Sequence, residues 1–83
     1  MLGHEIKARI ENGIPESECF VNEFSGGTDH YSVIVVSNFF DGRTLLSRHR
    51  IIMDLFKEEI NTGEVHALTI KAFTKVQWEK EKV

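Results

Sequence analysis

FFDGRTLLSRHR, residues 39–50, joins the two strongest secondary-structure signals in the chain. Before it, residues 31–37 are mostly β-branched and apolar, which favours a strand. After it, residues 45–61 carry the longest helical pattern in the sequence. The stretch ends in Arg48, His49 and Arg50, which concentrate positive charge on a chain whose net charge is −3. This strand–turn–helix unit therefore determines both the fold and a candidate binding surface.

Size and composition restrict the chain to one small domain, which we place over residues 1–83. The longest unbroken apolar run, residues 33–36, is too short to cross a membrane. The first residues lack the basic and apolar segments of a signal peptide. The expected compartment is the cytoplasm, with the nucleus as an alternative and the mitochondrion if a presequence has been removed. Cys19 is the single cysteine, which excludes an intramolecular disulfide.

Apolar periodicity predicts a short amphipathic helix and then a β-hairpin. Apolar residues recur every four positions at the start of the chain: Leu2, Ile6 and Ile10. This spacing places them on one helix face, and Gly13 supplies a left-handed helix end. Residues 19–24 predict a first strand, residues 25–29 a turn and residues 30–37 a second strand. The second strand is apolar on both faces, which indicates a central position in the sheet.

The second half of the chain predicts a central helix, a third strand and a short final helix. Thr44 can cap the central helix. Its core face is formed by residues at spacings of three and four: Leu45, His49, Ile52, Met53, Phe56 and Ile60. Residues 65–73 form the third strand, which the crossover helix allows to run parallel to the second. Val76 and Trp78 are the expected apolar contacts of the final helix. The fold class is therefore α+β, in the order α-β-β-α-β-α, with a three-stranded sheet and helices on one face.

Three separated blocks of the sequence resemble the BolA family. The blocks are His30 and Tyr31 leading into VIVVS, then FFDGRTLLSRHR, then VHAL followed by Trp78. Their order and spacing cover most of residues 19–78. The resemblance implies a class II KH-like fold, which agrees with the order obtained from periodicity. Two departures are the short turn at residues 25–29 and Arg43, which stands where the family frequently has lysine.

The resemblance implies a function that is carried out with a partner protein. BolA proteins pair with monothiol glutaredoxins and bridge a [2Fe-2S] cluster that is shared with glutathione. They serve iron–sulfur cluster assembly or trafficking, or iron regulation. By this resemblance the chain is a non-enzymatic adaptor. Alone, it is expected to hold no cofactor and to be a monomer or a weak dimer.

Two histidines are the candidate metal ligands of that cluster. The resemblance assigns one ligand to His66, at the start of the third strand, and a second to the hairpin loop, where His30 is the strongest donor. Asp29 is a poorer candidate because carboxylates are harder ligands than imidazole. For Cys19, a buried free thiol is the ordinary interpretation. The residues alone leave open that His66 is a packing residue and that His30 is an exposed strand end.

The arginines beside the central turn form a positive patch. Arg43, Arg48 and Arg50 occur with no acidic residue between positions 43 and 53. Arginine binds phosphate and carboxylate equally well through its planar fork. The three could instead hold the helix start to the domain through acidic partners. We favour a partner-binding surface for the arginines and a packing role for His49.

Two other classes of function have weaker support in the sequence. No Ser/His/Asp or Cys/His set can be assembled, and residues 41–44 do not form a GxxxxGK phosphate loop, so an enzyme is not expected. The alternative to the adaptor is a nucleic-acid-binding transcriptional regulator that uses the Arg43 to Arg50 patch. However, a KH clamp needs a GxxG loop, and residues 42–45 lack the second glycine. The chain as a whole also repels polyanions.

Overall fold

The computed structural model describes residues 1–23, 30–65 and 67–82. Its helices and strands follow in this order: α1 (Gly3–Gly13), β1 (Glu18–Glu23), β2 (His30–Val36), α2 (Leu45–Asp54), α3 (Lys57–Thr62), β3 (Ala67–Phe73) and α4 (Lys75–Lys82). This order confirms the predicted α+β arrangement, with the central helix divided into α2 and α3. Within the described residues, every helix is too short or too polar to pass through a bilayer.

β2 is the central strand of a three-stranded sheet, as its apolar sequence predicted. It pairs antiparallel with β1 and parallel with β3, so that Val33 lies between Val21 and Ile70. A parallel pair needs a long crossover connection, which α2 and α3 provide. The predicted antiparallel pairing of the first two strands and the predicted parallel third strand are both confirmed. The turn predicted at residues 25–29 lies outside the described residues.

The turn between β2 and α2 is fixed by local hydrogen bonds. The Ser37 hydroxyl is buried, donates to the Pro15 carbonyl oxygen (2.7 Å) and so attaches the turn to the segment after α1. Gly42 has φ +76°, a left-handed conformation that suits glycine. The Thr44 hydroxyl accepts a hydrogen bond from the Ser47 amide (3.1 Å), which confirms the predicted helix cap.

Alternate residues of the strands form one apolar face, which packs against α1, α2 and α3. Ile6 and Ile10 of α1 are fully buried on this face, at the spacing that predicted them. The other buried members of the core are Ile14, Cys19, Tyr31, Val33, Val35, Phe40, Ile52, Phe56, Ile70 and Ala72. Because strand side chains alternate between faces, each strand contributes every second residue to this single core.

The reverse face of the sheet is covered at one end by α4, so the prediction that the helices lie on one face is right for α1, α2 and α3 and wrong for α4. Trp78 stacks on Phe20 of β1, with ring centroids 5.5 Å apart, and packs against Phe73 of β3 at 5.6 Å. The contact predicted for Trp78 is therefore present. Val76, the other predicted contact, is 65% exposed. It precedes Trp78 by two residues, which places it about 200° away around the helix.

α2 is rotated relative to the face that the sequence predicted. Ile52 and Phe56 are fully buried as expected, but the residue four positions before Ile52 is Arg48, which is only 5% exposed. His49 is exposed, so the packing role predicted for it is wrong. Leu45 and Met53, also predicted to face the core, are 68% and 37% exposed, so these predictions are wrong as well. Positions 48, 52 and 56 share one line along the helix, and positions 49 and 53 lie about 100° away from it.

The predicted continuous central helix is interrupted at Leu55 and Phe56. Arg9 of α1 donates to the Leu55 carbonyl oxygen (3.1 Å) and pairs with the Glu59 carboxylate (2.6 Å). The hydrogen bond from Arg9 replaces the backbone amide that the Leu55 carbonyl oxygen would bind in a continuous helix. Gly63, at φ +85°, ends α3 in the left-handed conformation expected of a C-terminal glycine. The left-handed end predicted at Gly13 is wrong, because Gly13 does not have a positive φ.

Candidate functional site

The first residues of β2 and β3 lie at the same end of the sheet because the two strands run parallel. His30, exposed at the start of β2, is the register partner of Ala67, the first residue of β3. We call this end, defined by His30 and Ala67, the rim. His66 precedes Ala67 in the sequence and, like Asp29, lies outside the described residues. The predicted ligand pair of His66 and His30 therefore stays a prediction.

The chain on both sides of the rim is attached to the domain. Tyr31, next to His30, is buried, and its hydroxyl donates to the carbonyl oxygen of Met1. The amino group of Met1 lies 3.1 Å from the Glu64 carboxylate, in the segment before β3. Val65 is buried as well. A partner that approaches the rim would thus meet a surface supported by the core.

His30 is the predicted metal donor that the structure describes at the rim. Within the described ranges, no group of three or more His, Cys, Asp or Glu side chains could hold a metal ion. Histidine replaces thiolate on some two-iron clusters, which take about four protein ligands in all. With only the two predicted ligands, His66 and His30, such a cluster would be half-ligated.

Cys19 is a buried free thiol on the core face of β1. Burial raises the pKa of the thiol to about 11. Cys19 pairs with Val35, five residues along β2 from His30, which is roughly 16 Å at the usual strand rise. Its position and protonation both separate it from chemistry at the rim.

We expect Cys19 to resist alkylation in the folded protein. With the thiol pKa raised to about 11 from 9.0, the thiolate fraction at pH ~8 falls roughly a hundredfold. Labelling with iodoacetamide at that pH, followed by mass spectrometry, should be slow in buffer and fast in concentrated urea. Equal rates in the two solutions would show that the thiol is accessible and would contradict its burial.

Arg48 joins α2 to β3 and α4 instead of facing a partner. Its Nη1 donates to the Ala72 carbonyl oxygen (3.1 Å) and to the Gln77 side-chain oxygen (2.8 Å), and its Nε donates to the Arg43 carbonyl oxygen (3.1 Å). Arg48 was predicted to bind a partner, and the structure instead gives it a role inside the domain. The alternative interpretation, that an arginine holds the helix start to the domain, is the one that Arg48 fulfils. Its partners are neutral oxygens and not the acidic residues expected.

Gln77 is a structural residue that the sequence reasoning missed. Its side-chain oxygen accepts a hydrogen bond from the Thr74 amide (2.9 Å), and the Thr74 hydroxyl accepts one from the Gln77 amide (3.3 Å). This reciprocal pair is a capping box at the start of α4. Threonine followed three residues later by glutamine is a known signature of this box, so the signal was present in the sequence. The same glutamine oxygen also accepts the hydrogen bond from Arg48 Nη1.

The other two arginines of the predicted patch are exposed. The Arg43 guanidinium lies 4.5 Å from the centroid of the Phe39 ring, and its Nε donates to the Phe39 carbonyl oxygen (3.1 Å). The Arg50 side chain makes no hydrogen bond or ion pair with the part of the chain that the structure describes. His49 is exposed between them. A partner-binding role for Arg43 and Arg50 stays a prediction.

A family model described as BolA-like protein matches residues 5–77. BolA-like protein 1 of Mus musculus is 36% identical over 88% of this chain, and BolA-like protein 2 of Saccharomyces cerevisiae is 35% identical over 90%. A protein of Escherichia coli named DNA-binding transcriptional regulator BolA is 40% identical over 66% of the chain. The matches span 58%, 62% and 51% of the lengths of these three relatives.

Solved structures show the same fold. The solution structure of BolA1 from Mus musculus has a TM-score of 0.81 at 35% identity, covering 98% of this chain and 71% of that one. The solution structure of yeast Fra2 has a TM-score of 0.75 at 33% identity, covering 96% and 86%. The BolA domain of SufE1 from Arabidopsis thaliana has a TM-score of 0.77 at 34% identity, covering 89% and 92%.

Proposed function

The chain belongs to the BolA-like protein family, and from this membership we propose that it serves iron–sulfur metabolism as a non-enzymatic adaptor. In this proposal it pairs with a monothiol glutaredoxin, and the two proteins hold a [2Fe-2S] cluster between them together with glutathione. The observation that carries the proposal is the family match over residues 5–77, which contains His30, the central stretch and His66. The cytoplasmic location expected from the sequence is part of the proposal.

His66 and His30 are the proposed ligands on this side of the cluster. Support comes from the parallel register, in which His30 starts its strand opposite Ala67, the neighbour of His66 in sequence. Histidine ligation raises the reduction potential of a two-iron cluster relative to ligation by thiolate alone. Neutral imidazole is also a weaker donor to the iron of such a cluster than an anionic thiolate, so it is released more readily. Both properties suit a cluster that is passed on.

Reconstitution with a glutaredoxin tests this function. The chain is mixed anaerobically with a monothiol glutaredoxin, glutathione, ferrous iron and sulfide, and the product is examined by size exclusion and visible circular dichroism. We expect a coloured heterocomplex, and we expect the cluster spectrum to change in His66→Ala and in His30→Ala. His49→Ala is the matched control, because His49 is exposed on α2 and does not belong to the rim.

Two results would contradict different parts of the proposal. If the wild-type chain forms no cluster complex with the glutaredoxin, the proposed function is wrong. If a complex forms and His66→Ala keeps the wild-type spectrum, His66 is not a ligand although the adaptor function stands.

Nucleic-acid binding is the second candidate function. It is favoured by the name of the Escherichia coli relative, a DNA-binding transcriptional regulator, and by the exposure of Arg43 and Arg50. The burial of Arg48 weakens it, since one of the three predicted phosphate ligands is committed to the domain. The net charge of −3 also opposes association with a polyanion.

We expect any DNA binding to be weak, and we expect its association constant to fall only slowly as the salt concentration rises. Two exposed arginines can neutralise two phosphates, which gives a slope of about −2 for log K against log salt concentration. Fluorescence anisotropy with duplex DNA at several salt concentrations measures this slope, and Arg43→Ala and Arg50→Ala should each reduce it. A much steeper slope, or sequence-specific binding at physiological salt, would favour the regulator over the adaptor.

A further inference from the structure

β3 is an edge strand whose outer backbone groups are only partly used. The Phe73 carbonyl oxygen accepts from the Ser37 amide (2.9 Å), so the backbone groups of Phe73 face β2. Because these groups alternate along a strand, those of Leu68, Ile70 and Ala72 face the open edge. The Ala72 carbonyl oxygen already accepts a hydrogen bond from Arg48. For Leu68 and Ile70, no hydrogen bond on this edge is formed with any described residue. An edge of this kind can accept an additional strand.

A groove runs beside this edge, between α2, β3 and α4. It consists of two adjoining cavities of about 310 and 220 Å³. Both are lined by Leu45, Ala72 and Phe73, and Ile70 lines the smaller one. Leu45 is 68% exposed although it begins a helix that otherwise packs on the core. The groove thus places apolar side chains next to unpaired backbone groups.

The polar residues that line the groove are predominantly basic. Lys71 and His49 line the smaller cavity, and Lys80 and Glu81 line the larger one. Neither lysine has an ion-pair partner among the residues that the structure describes. This local positive charge stands on an acidic chain. Its electrostatic complement is a segment that carries carboxylates.

We propose that this groove, which we call the edge groove, binds a short extended segment of a partner protein in which apolar and acidic side chains alternate. The segment adds to β3 through the backbone of Ile70, whose outward groups lie beside the smaller cavity. An apolar side chain enters between Leu45 and Phe73, and acidic side chains lie beside the lysines. This is strand addition to a sheet edge, in which the backbone gives affinity and the pockets give specificity.

The edge groove is separate from the rim. Ala72 follows Ala67 by five residues along β3, roughly 16 Å at the usual strand rise. A segment that pairs no further along β3 than Ile70, three residues and roughly 10 Å from Ala67, leaves the rim accessible to a second protein. The inference does not depend on the proposed iron–sulfur function. Two contact surfaces on one small domain are what an adaptor between two proteins requires.

A second copy of this chain fits the edge groove less well than an acidic segment. If β3 paired with itself across a two-fold axis, Lys71 of both copies would lie on the same face of the joined sheet. β3 contains no acidic residue to offset these charges. Like charges on one face of a strand pair are unfavourable.

Peptide binding measured by fluorescence anisotropy tests the proposal. The probe is a short fluorescein-labelled peptide of alternating aspartate and leucine, and a peptide of alternating lysine and leucine is the reference. We expect saturable binding of the acidic probe only. Leu45→Ser removes one buried apolar contact and should weaken binding about tenfold or more. Lys71→Glu should weaken the acidic probe and admit the basic one.

Another exposed leucine and another exposed lysine provide the matched controls. Leu46→Ser changes a leucine that is 62% exposed beside Leu45 but lines neither cavity, and Lys57→Glu reverses an exposed charge outside the groove. Both should bind the acidic probe as the wild type does. The proposal is overturned if the wild type binds neither peptide or both equally, or if the controls lose as much affinity as the groove variants. It is also overturned if Leu45→Ser turns a dimer into a monomer in sedimentation, or if single-stranded DNA displaces the probe.

Discussion

Replacing Arg48 with methionine is expected to lower the free energy of unfolding by about 2–4 kcal/mol, although arginine is ordinarily a surface residue. Methionine fills a similar length but donates no hydrogen bond. The Ala72 carbonyl oxygen and the Gln77 side-chain oxygen would each lose a partner at a buried or half-buried position. Loss of the Gln77 contact also loosens the capping box of α4. The substitution therefore weakens the contacts that join α2, β3 and α4.

Urea unfolding followed by Trp78 fluorescence and by circular dichroism measures the effect of Arg48→Met. Arg50→Met is the matched control, because Arg50 is exposed on the same helix. Its free energy of unfolding should stay within about 0.5 kcal/mol of the wild type. Arg48→Lys should recover little, since an ammonium group cannot reproduce the planar fork that reaches several oxygens.

Equal stabilities of Arg48→Met and Arg50→Met would mean that the buried network contributes nothing to folding. The expected difference also affects functional experiments. A variant that removes Arg48 would lose partner or nucleic-acid binding through unfolding, and that loss would be wrongly assigned to a missing contact. Tests of a binding surface should therefore use Arg43 and Arg50.

The order of the elements could be predicted because its signals are local and strong. The run VIVV has apolar side chains on both faces, which only a central strand can bury, and Thr44 and Gly63 mark helix ends by well-defined chemistry. The spacing of Ile6 and Ile10 likewise has one physical solution, burial of a single helix face. In such cases local preference and tertiary structure agree.

The rotation of α2 could not be predicted from periodicity alone. A face centred on His49 and one centred on Arg48 both contain Ile52 and Phe56, and the usual preference for exposed arginine selects the wrong one. What decides between them is a set of distant acceptors: the buried Ala72 carbonyl oxygen and the part-buried Gln77 side-chain oxygen of the capping box. The interruption at Leu55 is equally non-local, because Arg9 of α1 satisfies its carbonyl.

The candidate site was accessible to sequence reasoning only in part. The strand pattern places His30 at a strand start, and the structure confirms that position. The assignment of His66 comes from the family resemblance, and no physical property of a single histidine in VHAL distinguishes a ligand from a packing residue. The edge groove was not visible, because it is formed by α2, β3 and α4 together.

Phe56→Ala is expected to lower the free energy of unfolding by about 3–5 kcal/mol, because the ring is completely buried and its loss leaves a cavity. The ring lies where α2 meets α3, and the Arg9 guanidinium stands 5.3 Å from its centroid. Arg9 in turn holds Leu55 and Glu59. The substitution should therefore also loosen the junction of α1 with the interrupted helix.

A domain of this size has only about 4–12 kcal/mol of stability in total, so Phe56→Ala is expected to remove a large share of it. Phe56→Leu, which keeps most of the volume, should cost about 1–2 kcal/mol and remain measurable by urea unfolding. Phe39→Ala is the matched control: it removes the same ring from a position that is 38% exposed, so its cost should be about 1 kcal/mol or less. Similar losses for Phe39→Ala and Phe56→Ala would contradict the complete burial of Phe56 in the core. A large loss for Phe56→Ala alone would show that the ring at the α2–α3 junction is one of the side chains that hold the domain together.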